Sequence, residues 1–427
     1  MPSAGQQDIV GPGAPSADGR STQPQLLLVG TSYQTSGVGF REALAKKVDA
    51  GRVVGALAAV EESALLSTCN RYEFYLVSKN PGAATAGLLS YLRGLTSRYS
   101  VGSEFYQLKG LDAVSHLFRV AAGLESVVVG EPQILAQVRA AGVESRIRGE
   151  AKGILSPLFD RAYRVGSRVR STYGLGSDEA SLSDLAMEAV DRVHPGRQVV
   201  MLIGTGKMIR LAARKLKGNV SRLYVASRRK RPPAGLEWCT LVGYSDVKRL
   251  AKSCDVLVSA TSAKRPLITA TDLEGRRPKT VVDLGMPRNV SDAVRGLANV
   301  RLLDLDDLAA MAASRPPLAR LPEAEAAVSK EAAEFYSWLI QTRLSTTLAD
   351  IYSWADAVRE EELRRAVGRL GPASEREKRI VEAMGRRIVS KLIAKPVGFA
   401  RKKHPGLSEE EKLYLLSAVF GGDRREG

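Results

Sequence analysis

The sequence predicts an α/β protein in three parts. These are an α+β N-terminal region, a doubly wound parallel sheet, and an all-α C-terminal region. Three observations carry this. Between about 178 and 320, short apolar runs alternate with helical stretches, the pattern of a buried parallel sheet. Upstream, strand-like runs and amphipathic helices mix without that alternation. Downstream, the apolar spacing is helical throughout. A chain of 427 residues has material for two or three cores.

Taken in order, residues 1–23 are rich in Gly, Pro, Ser and Gln without periodicity and read as a disordered tail. Order begins at Gln25-Leu-Leu-Leu-Val-Gly30, a buried-strand run stopped by glycine, within a region spanning 24–177. Two more strand-like runs flank the polar crossing in Ala64-Leu-Leu-Ser-Thr-Cys-Asn-Arg-Tyr-Glu-Phe-Tyr-Leu-Val77. From Leu111 to Leu124, helical spacing sets Leu111, Val114, Leu117 or Phe118, Ala121 and Leu124 on one face. Gly130-Glu-Pro-Gln133 breaks the chain, and Pro132 suits the first turn of the next helix.

The second region, 178–320, contains the runs Val199–Ile203, Leu223–Ala226, Asp255–Ser259, Thr280–Asp283 and Val300–Asp304. In the third, 321–427, Val328, Ala332, Phe335 and Leu339 repeat at helical spacing. With no chemical motif in it, this region is expected to join copies of the chain through that apolar face.

Hydrophobic residues make up 44% and charged residues 26%, as in a globular protein. The three cysteines, Cys69, Cys239 and Cys254, are too few and scattered for a disulfide framework, and no CxxC pair points to zinc. No metal site is expected, and a reducing cytoplasm fits. The longest apolar runs fall far short of the ~20 residues a membrane span requires. The N-terminus lacks the order of a signal peptide. Sixty-three Lys and Arg against 46 Asp and Glu leave a charge of +17. That balance fits either an RNA partner or an Arg-rich solvated surface.

Cys69 is the first chemical candidate. It sits between Thr68 and Asn70-Arg71 at the crossing of two strands. A cation beside a thiol raises the fraction of reactive thiolate. The same placement also suits a small buried residue at a strand end.

Gly204-Thr-Gly206 follows a strand and precedes a helix, like the opening of a dinucleotide-binding turn. Ile209 stands where the third glycine of that pattern would be. After the next strand, no acidic residue awaits a ribose hydroxyl. Ser227-Arg-Arg-Lys-Arg231 is there instead, and its cations suit the 2′-phosphate of NADP. His116, one of three histidines, lies on the Leu111–Leu124 helix. Ser126, Glu131, Gln133 and Gln137 cluster around the helix break that follows, where polar groups can converge.

These residues add up to a resemblance. Thr68-Cys69-Asn70-Arg71, His116-Leu-Phe-Arg-Val-Ala121, Gly123-Leu-Glu-Ser126, Gly130-Glu-Pro-Gln-Ile-Leu135 and Gln137 occur in order. Gly204-Thr-Gly206-Lys-Met208 and Asp283-Leu-Gly-Met-Pro-Arg288 follow. Together they resemble the glutamyl-tRNA reductase family over about residues 25 to 420. The resemblance implies a catalytic N-terminal domain, a Rossmann NADP-binding domain and a helical dimerisation domain. It also implies an NADPH-dependent first step of five-carbon tetrapyrrole synthesis, with glutamyl-tRNA as substrate and a V-shaped homodimer. Glutamate-1-semialdehyde aminomutase is a further partner it points to.

Carried over by position, Cys69 matches the nucleophile and His116 a histidine needed for full activity. Thr68, Asn70, Arg71, Ser126, Glu131, Pro132, Gln133 and Gln137 match substrate positions. Gly204, Thr205, Gly206, Lys207, Met208 and Ile209 match the NADP loop, to which Ser227, Arg228, Arg229 and Lys230 are added from their chemistry. Arg71 has two readings: its guanidinium fork grips the substrate side-chain carboxylate, or it tunes Cys69.

Three positions depart from the family pattern. Tyr33 replaces a His, Gly37 replaces a Pro, and Ala394 replaces another His. They bear on loop geometry and substrate fit. The alternatives to the main reading are a paralogue reducing another aminoacyl-tRNA or acyl thioester, and a silent homologue that only binds tRNA or a regulator.

Overall fold

The computed structural model describes residues 24–48, 59–96, 103–176, 182–194, 196, 198–228, 231–232, 235–274, 279–314, 320–369, 374–402 and 404–420. The expected N-terminal tail, residues 1–23, lies outside them. The chain divides into two compact units. The larger comprises Leu26–Val77 and Thr85–Phe335, and the smaller holds Ser78–Ala84 and the chain from Tyr336 onward.

The larger unit opens with β1 (Gln25–Ser32), α1 (Val38–Lys47), β2 (Glu62–Ser67) and β3 (Arg71–Ser78). After α2 (Pro81–Leu95) comes β4 (Tyr106–Lys109), completing a four-stranded sheet in the order β2-β3-β1-β4. β2 and β3 form an antiparallel hairpin, from Glu62 opposite Val77 to Ser67 opposite Tyr72. The crossing between these strands is thus Thr68–Asn70, where the sequence places its first candidate. β3 is buried along its whole length.

Three helices pack over this sheet: α3 (Gly110–Ala122), α4 (Pro132–Ile147) and α5 (Leu155–Tyr173). Pro132 opens α4 as expected, since the first turn needs no proline N–H. On α3, Val114, Leu117, Phe118 and Ala121 are fully buried, but Leu111 is 40% exposed. At about 100° per residue, Leu111 lies roughly 70° from the centre of the arc those four define.

The second sheet follows α6 (Leu182–Val193). Its strands and helices are β5 (Val199–Ile203), α7 (Lys207–Leu216), β6 (Arg222–Ala226), β7 (Thr240–Val242), α8 (Val247–Ala251) and β8 (Val256–Ser259). Then come α9 (Ala270–Leu273), β9 (Lys279–Asp283), β10 (Val300–Leu303) and α10 (Leu305–Ala313). The strand order is β10-β9-β8-β5-β6-β7, and every pairing is parallel.

This is the doubly wound order, with its topological switch between β5 and β8. Alternate residues of β5 explain the continuous apolar run. Val200 and Leu202 enter one core with Ile209 and Ala213 of α7, while Met201 and Ile203 enter the opposite core with Leu257 and Val281. β7 carries no apolar run, and its residues are only half-buried or exposed, so periodicity did not predict it.

The long helix α11 (Leu321–Arg369) contains the boundary between the units. Its first stretch changes one expectation. Val328, Ala332 and Phe335 are buried within the protomer, and the Phe335 ring lies 5.8 Å from that of Phe118. Arg161 and Arg168 pair with Glu331 alongside. Those three residues therefore cannot form an outward face. In the smaller unit, α11 continues and is followed by α12 (Glu375–Arg401) and α13 (Glu409–Phe420). Leu344, Ala400, Leu413 and Leu416 form its core. Among the described residues, no helix is long and apolar enough to cross a membrane.

Candidate active site

The crossing between β2 and β3 is held by short local bonds. The Thr68 hydroxyl accepts from the backbone N–H groups of Asn70 (3.1 Å) and Arg71 (3.2 Å). The Thr68 N–H donates to the Arg71 carbonyl at 2.9 Å. From outside the hairpin, the Tyr33 N–H donates to the Asn70 carbonyl (2.9 Å), and Arg41 Nε donates to the Cys69 carbonyl (3.3 Å). The backbone around the thiol is thus pinned on both sides.

Cys69 is half-buried. Burial pushes its thiol up to about 12, the Glu131 carboxylate adds to that, and Arg41 and Arg71 pull against it. Next to it, Asn70 is 5% exposed, and its Oδ1 finds no hydrogen-bond partner among the described residues. An orphaned buried acceptor beside a nucleophile fits a donor carried by a substrate.

The two-residue period of β3 puts Arg71, Glu73 and Tyr75 on one face. Glu73 is fully buried and accepts four bonds. Its donors are Arg71 Nη1 (2.7 Å), Tyr75 Oη (2.7 Å), Tyr106 Oη (2.6 Å) and His116 Nε2 (2.9 Å). Burial alone would raise this carboxyl, but His116 and Arg71 outweigh it and hold it well below the usual range. Burial also opposes the charge on Arg71, and Glu73 overcomes it, so the guanidinium stays firmly cationic. Gly30 on β1 makes room for the cluster, because a Cβ there would meet Glu73 Cγ at 2.8 Å.

His116 and Arg71 are thus brought together through one carboxylate. Sequence pattern alone does not single out Glu73, Tyr75 and Tyr106. The readable signal was a glutamate two residues from an arginine in an otherwise apolar strand.

The helix break forms the second wall. Arg170 of α5 donates to the carbonyls of Gly130 (2.7 Å) and Glu131 (3.0 Å), and Arg71 Nη2 donates to the carbonyl of Glu125. Ser126 and Glu131 are buried. Burial raises the Glu131 carboxyl, while Arg71, Lys207 and Arg170 draw it down. Glu131 therefore lies within electrostatic reach of Cys69, Arg71 and the dinucleotide-type turn alike. Pro132 is exposed and Gln133 half-buried. Gln137 lines a cleft of about 260 Å³ with Ser67, Glu144 and Arg148.

That turn lies at the switch point. Gly204 has φ +117°, and a Cβ on it would meet the Ala260 carbonyl oxygen at 2.6 Å, so only glycine fits between the ends of β5 and β8. At Gly206 a Cβ would meet nothing within 4 Å, and α7 begins there without a side-chain cap. The turn thus offers open space and uncapped N–H groups, which fit a pyrophosphate. Ile209 is fully buried in the core, seating the helix on the sheet. Thr205 and Met208 are half-buried, Lys207 and Arg228 exposed, and Ser227 buried at the end of β6. Arg229 and Lys230 lie outside the described residues.

Two further contacts tie this sheet to the thiol side. Cys69, Tyr33 and Met208 pack against the same apolar core. Arg288, in the loop after β9, donates its N–H (2.9 Å) and Nε (3.2 Å) to Glu42 of α1.

A parallel sheet in dinucleotide-binding order, with a cysteine hairpin packed on the same core as its turn, defines an oxidoreductase. Comparison with known proteins agrees. Residues 29–173 match the model for the glutamyl-tRNAGlu reductase N-terminal domain, and 323–422 match its dimerisation domain. Residues 184–311 match the shikimate/quinate 5-dehydrogenase model, a domain of the NAD(P)-binding kind.

Glutamyl-tRNA reductase of Syntrophobacter fumaroxidans is 32% identical over 88% of this chain and 87% of its own. That of Nitratidesulfovibrio vulgaris is 33% identical over 90% and 91%. The solved glutamyl-tRNA reductase of Methanopyrus kandleri shares the fold at 24% identity, with a TM-score of 0.51 over 93% of this chain and 99% of that one. The chain belongs to the glutamyl-tRNA reductase family.

Proposed function

We propose that this chain reduces glutamyl-tRNA to glutamate-1-semialdehyde at Cys69 with NADPH as the reductant, opening five-carbon tetrapyrrole synthesis. The observation that carries this reading is the packing of Cys69 and Met208 of the turn against one core, with Glu131 in electrostatic reach of both sides. In this reading residues 24–177 form the catalytic domain, 178–320 the cofactor domain and 321–427 the dimerisation domain. The aminomutase, which would consume the aldehyde, belongs to the same reading as a partner.

The Cys69 sulfur attacks the ester carbonyl that joins the glutamyl group to tRNA. The C–O bond breaks, the thiol proton ends on the departing ribose hydroxyl, and a thioester remains on Cys69. NADPH, when bound, supplies a hydride to the thioester carbonyl, which is more readily reduced than an oxygen ester. The resulting hemithioacetal loses the Cys69 thiolate, which takes a proton from water, and the aldehyde leaves.

Asn70 Oδ1 accepts from the substrate ammonium, the donor its buried orphan position awaits. Two of the five N–H groups of Arg71 are committed to Glu73 and Glu125, leaving others for the side-chain carboxylate of the substrate. Glu73 fixes that guanidinium and His116 in place. Gly204–Lys207 would hold the cofactor pyrophosphate, and Arg228, two residues beyond β6, would supply a cation for a 2′-phosphate.

The test is single-turnover loading of Cys69 from glutamyl-, glutaminyl- and aspartyl-tRNA, followed by NADPH. Glutamyl-tRNA should load fastest and yield the aldehyde, and Cys69→Ser should do neither. Fastest loading from another tRNA would make the chain a paralogue with a different substrate. No loading from any would remove Cys69 from the chemistry.

A further inference from the structure

Helix α1 carries no residue of the catalytic set, yet two consecutive side chains on it reach the nucleotide domain. Arg41 is fully buried, and each of its nitrogens has a partner on a different segment. Nε donates to the Cys69 carbonyl at 3.3 Å, Nη1 to the Ser36 carbonyl, and Nη2 to Asp306 Oδ1 at 2.8 Å. Asp306 lies in the first turn of α10, directly after the last strand of the nucleotide sheet. Its second oxygen accepts the Val38 N–H at 2.7 Å, at the opening of α1, where Gly37 offers no side-chain cap. One carboxylate thus closes the start of α1 and anchors the arginine that holds the nucleophile backbone. The neighbouring Glu42–Arg288 pair makes a second tether from α1 to the loop after β9.

We propose that Arg41 and Asp306 are positioning residues that, by holding the Cys69 backbone, set the thioester carbonyl carbon carried on the Cys69 sulfur against the cofactor crevice. The inference rests on the reading of Cys69 as the acylated residue. Acylation needs only the thiol hairpin and the tRNA ester, both on the catalytic side. Hydride transfer needs the two domains in register, and a displacement near 1 Å is enough to cost about a hundredfold in rate. The Arg41–Asp306 pair is almost free of water on the arginine side, with exposures of 1% and 38%. Removing the aspartate charge would leave a buried guanidinium short of its partner and free the hairpin from α10. The pair should therefore govern the second half of the reaction and spare the first.

Asp306→Asn in the full chain tests this, because the amide keeps one oxygen for the Val38 N–H while the charge and the acceptor for Arg41 are lost. Three quantities are measured: release of uncharged tRNA in a single turnover without NADPH, aldehyde formed after NADPH is added, and NADPH affinity by fluorescence. The expected result is tRNA release within about twofold of the parent and aldehyde formation reduced about tenfold or more. NADPH affinity should stay unchanged, since Asp306 is not part of the Gly204–Lys207 turn.

Equal loss in both half-reactions would show a general structural role and overturn the proposal, as would full aldehyde formation. Asp306→Ser, which keeps a first-turn acceptor, replaces the variant if it does not fold. If the parent protein itself fails to acylate Cys69, the proposed function has failed, and the two outcomes stay distinct.

Discussion

At Cys69 two opposing fields meet in one turn. Burial and Glu131 favour the neutral thiol, and Arg41 and Arg71 favour the thiolate, with the former prevailing. The value rises from 9.0 to about 12. The folded protein therefore holds a proton here that the unfolded chain gives up sooner. This contribution to stability is complete below about pH 9 and is lost as pH climbs toward about 12. Replacing Glu131 with Gln removes one of the two causes of the rise. The Cys69 pKa should fall, and a fall of one unit would raise the thiolate fraction, and with it iodoacetamide labelling at pH 8, about tenfold. Labelling that stays the same or slows would show that Glu131 does not act on the thiol.

At the scale of the element, the parallel sheet shows why the dinucleotide turn falls where it does. β5 is central, and its C-terminal end meets that of β8 at Gly204 and Ala260. Connections leave the two strands toward opposite faces, and the crevice opens between them. β6 ends at Ala226, and the next residue, Ser227, donates its N–H to the Val242 carbonyl at 3.0 Å and so holds Arg228 at the rim. Arg228→Ala should lower kcat/KM with NADPH roughly ten- to a hundredfold, equivalent to about 1.5–3 kcal/mol for a charge-assisted contact, and leave NADH nearly unaffected. Steady-state rates with both cofactors check this. An equal loss for NADPH and NADH would place the 2′-phosphate elsewhere.

At the scale of the whole molecule, the burial of Val328, Ala332 and Phe335 within the protomer moves the proposed dimer contact to other residues. On α12, Ile380, Met384, Ile388 and Leu392 follow one another every four positions, and each is at least 50% exposed. A second copy of the chain is the occupant this stripe suits, in the region that matches the family's dimerisation domain. Ile388→Asp would bury an unpaired carboxylate in that contact, at a cost of several kcal/mol. Light scattering should then report a monomer with an unchanged circular dichroism spectrum. A persisting dimer would move the interface off α12. If glutamyl-tRNA is the substrate, as proposed, the net charge of +17 would supply salt-sensitive affinity for its phosphates.

Periodicity and turn chemistry are local properties, so the sequence alone determined five of the six strands of the second sheet, the glycine turn and the proline opening α4. The motif run from Thr68 to Gln137 was likewise enough to point to the family. Other features depend on residues far apart in the chain. Arg71 in the sequence is a cation beside a thiol. In the structure it is bound to Glu73, which also holds Tyr75, Tyr106 and His116, and no spacing rule links β3 to β4 and α3. Arg41 and Asp306 stand 265 positions apart and meet only because the nucleotide sheet packs on the thiol hairpin. Val328 and Phe335 show the same limit: helical spacing identifies an apolar face, but only packing decides whether that face meets Phe118 of the same chain or a second copy.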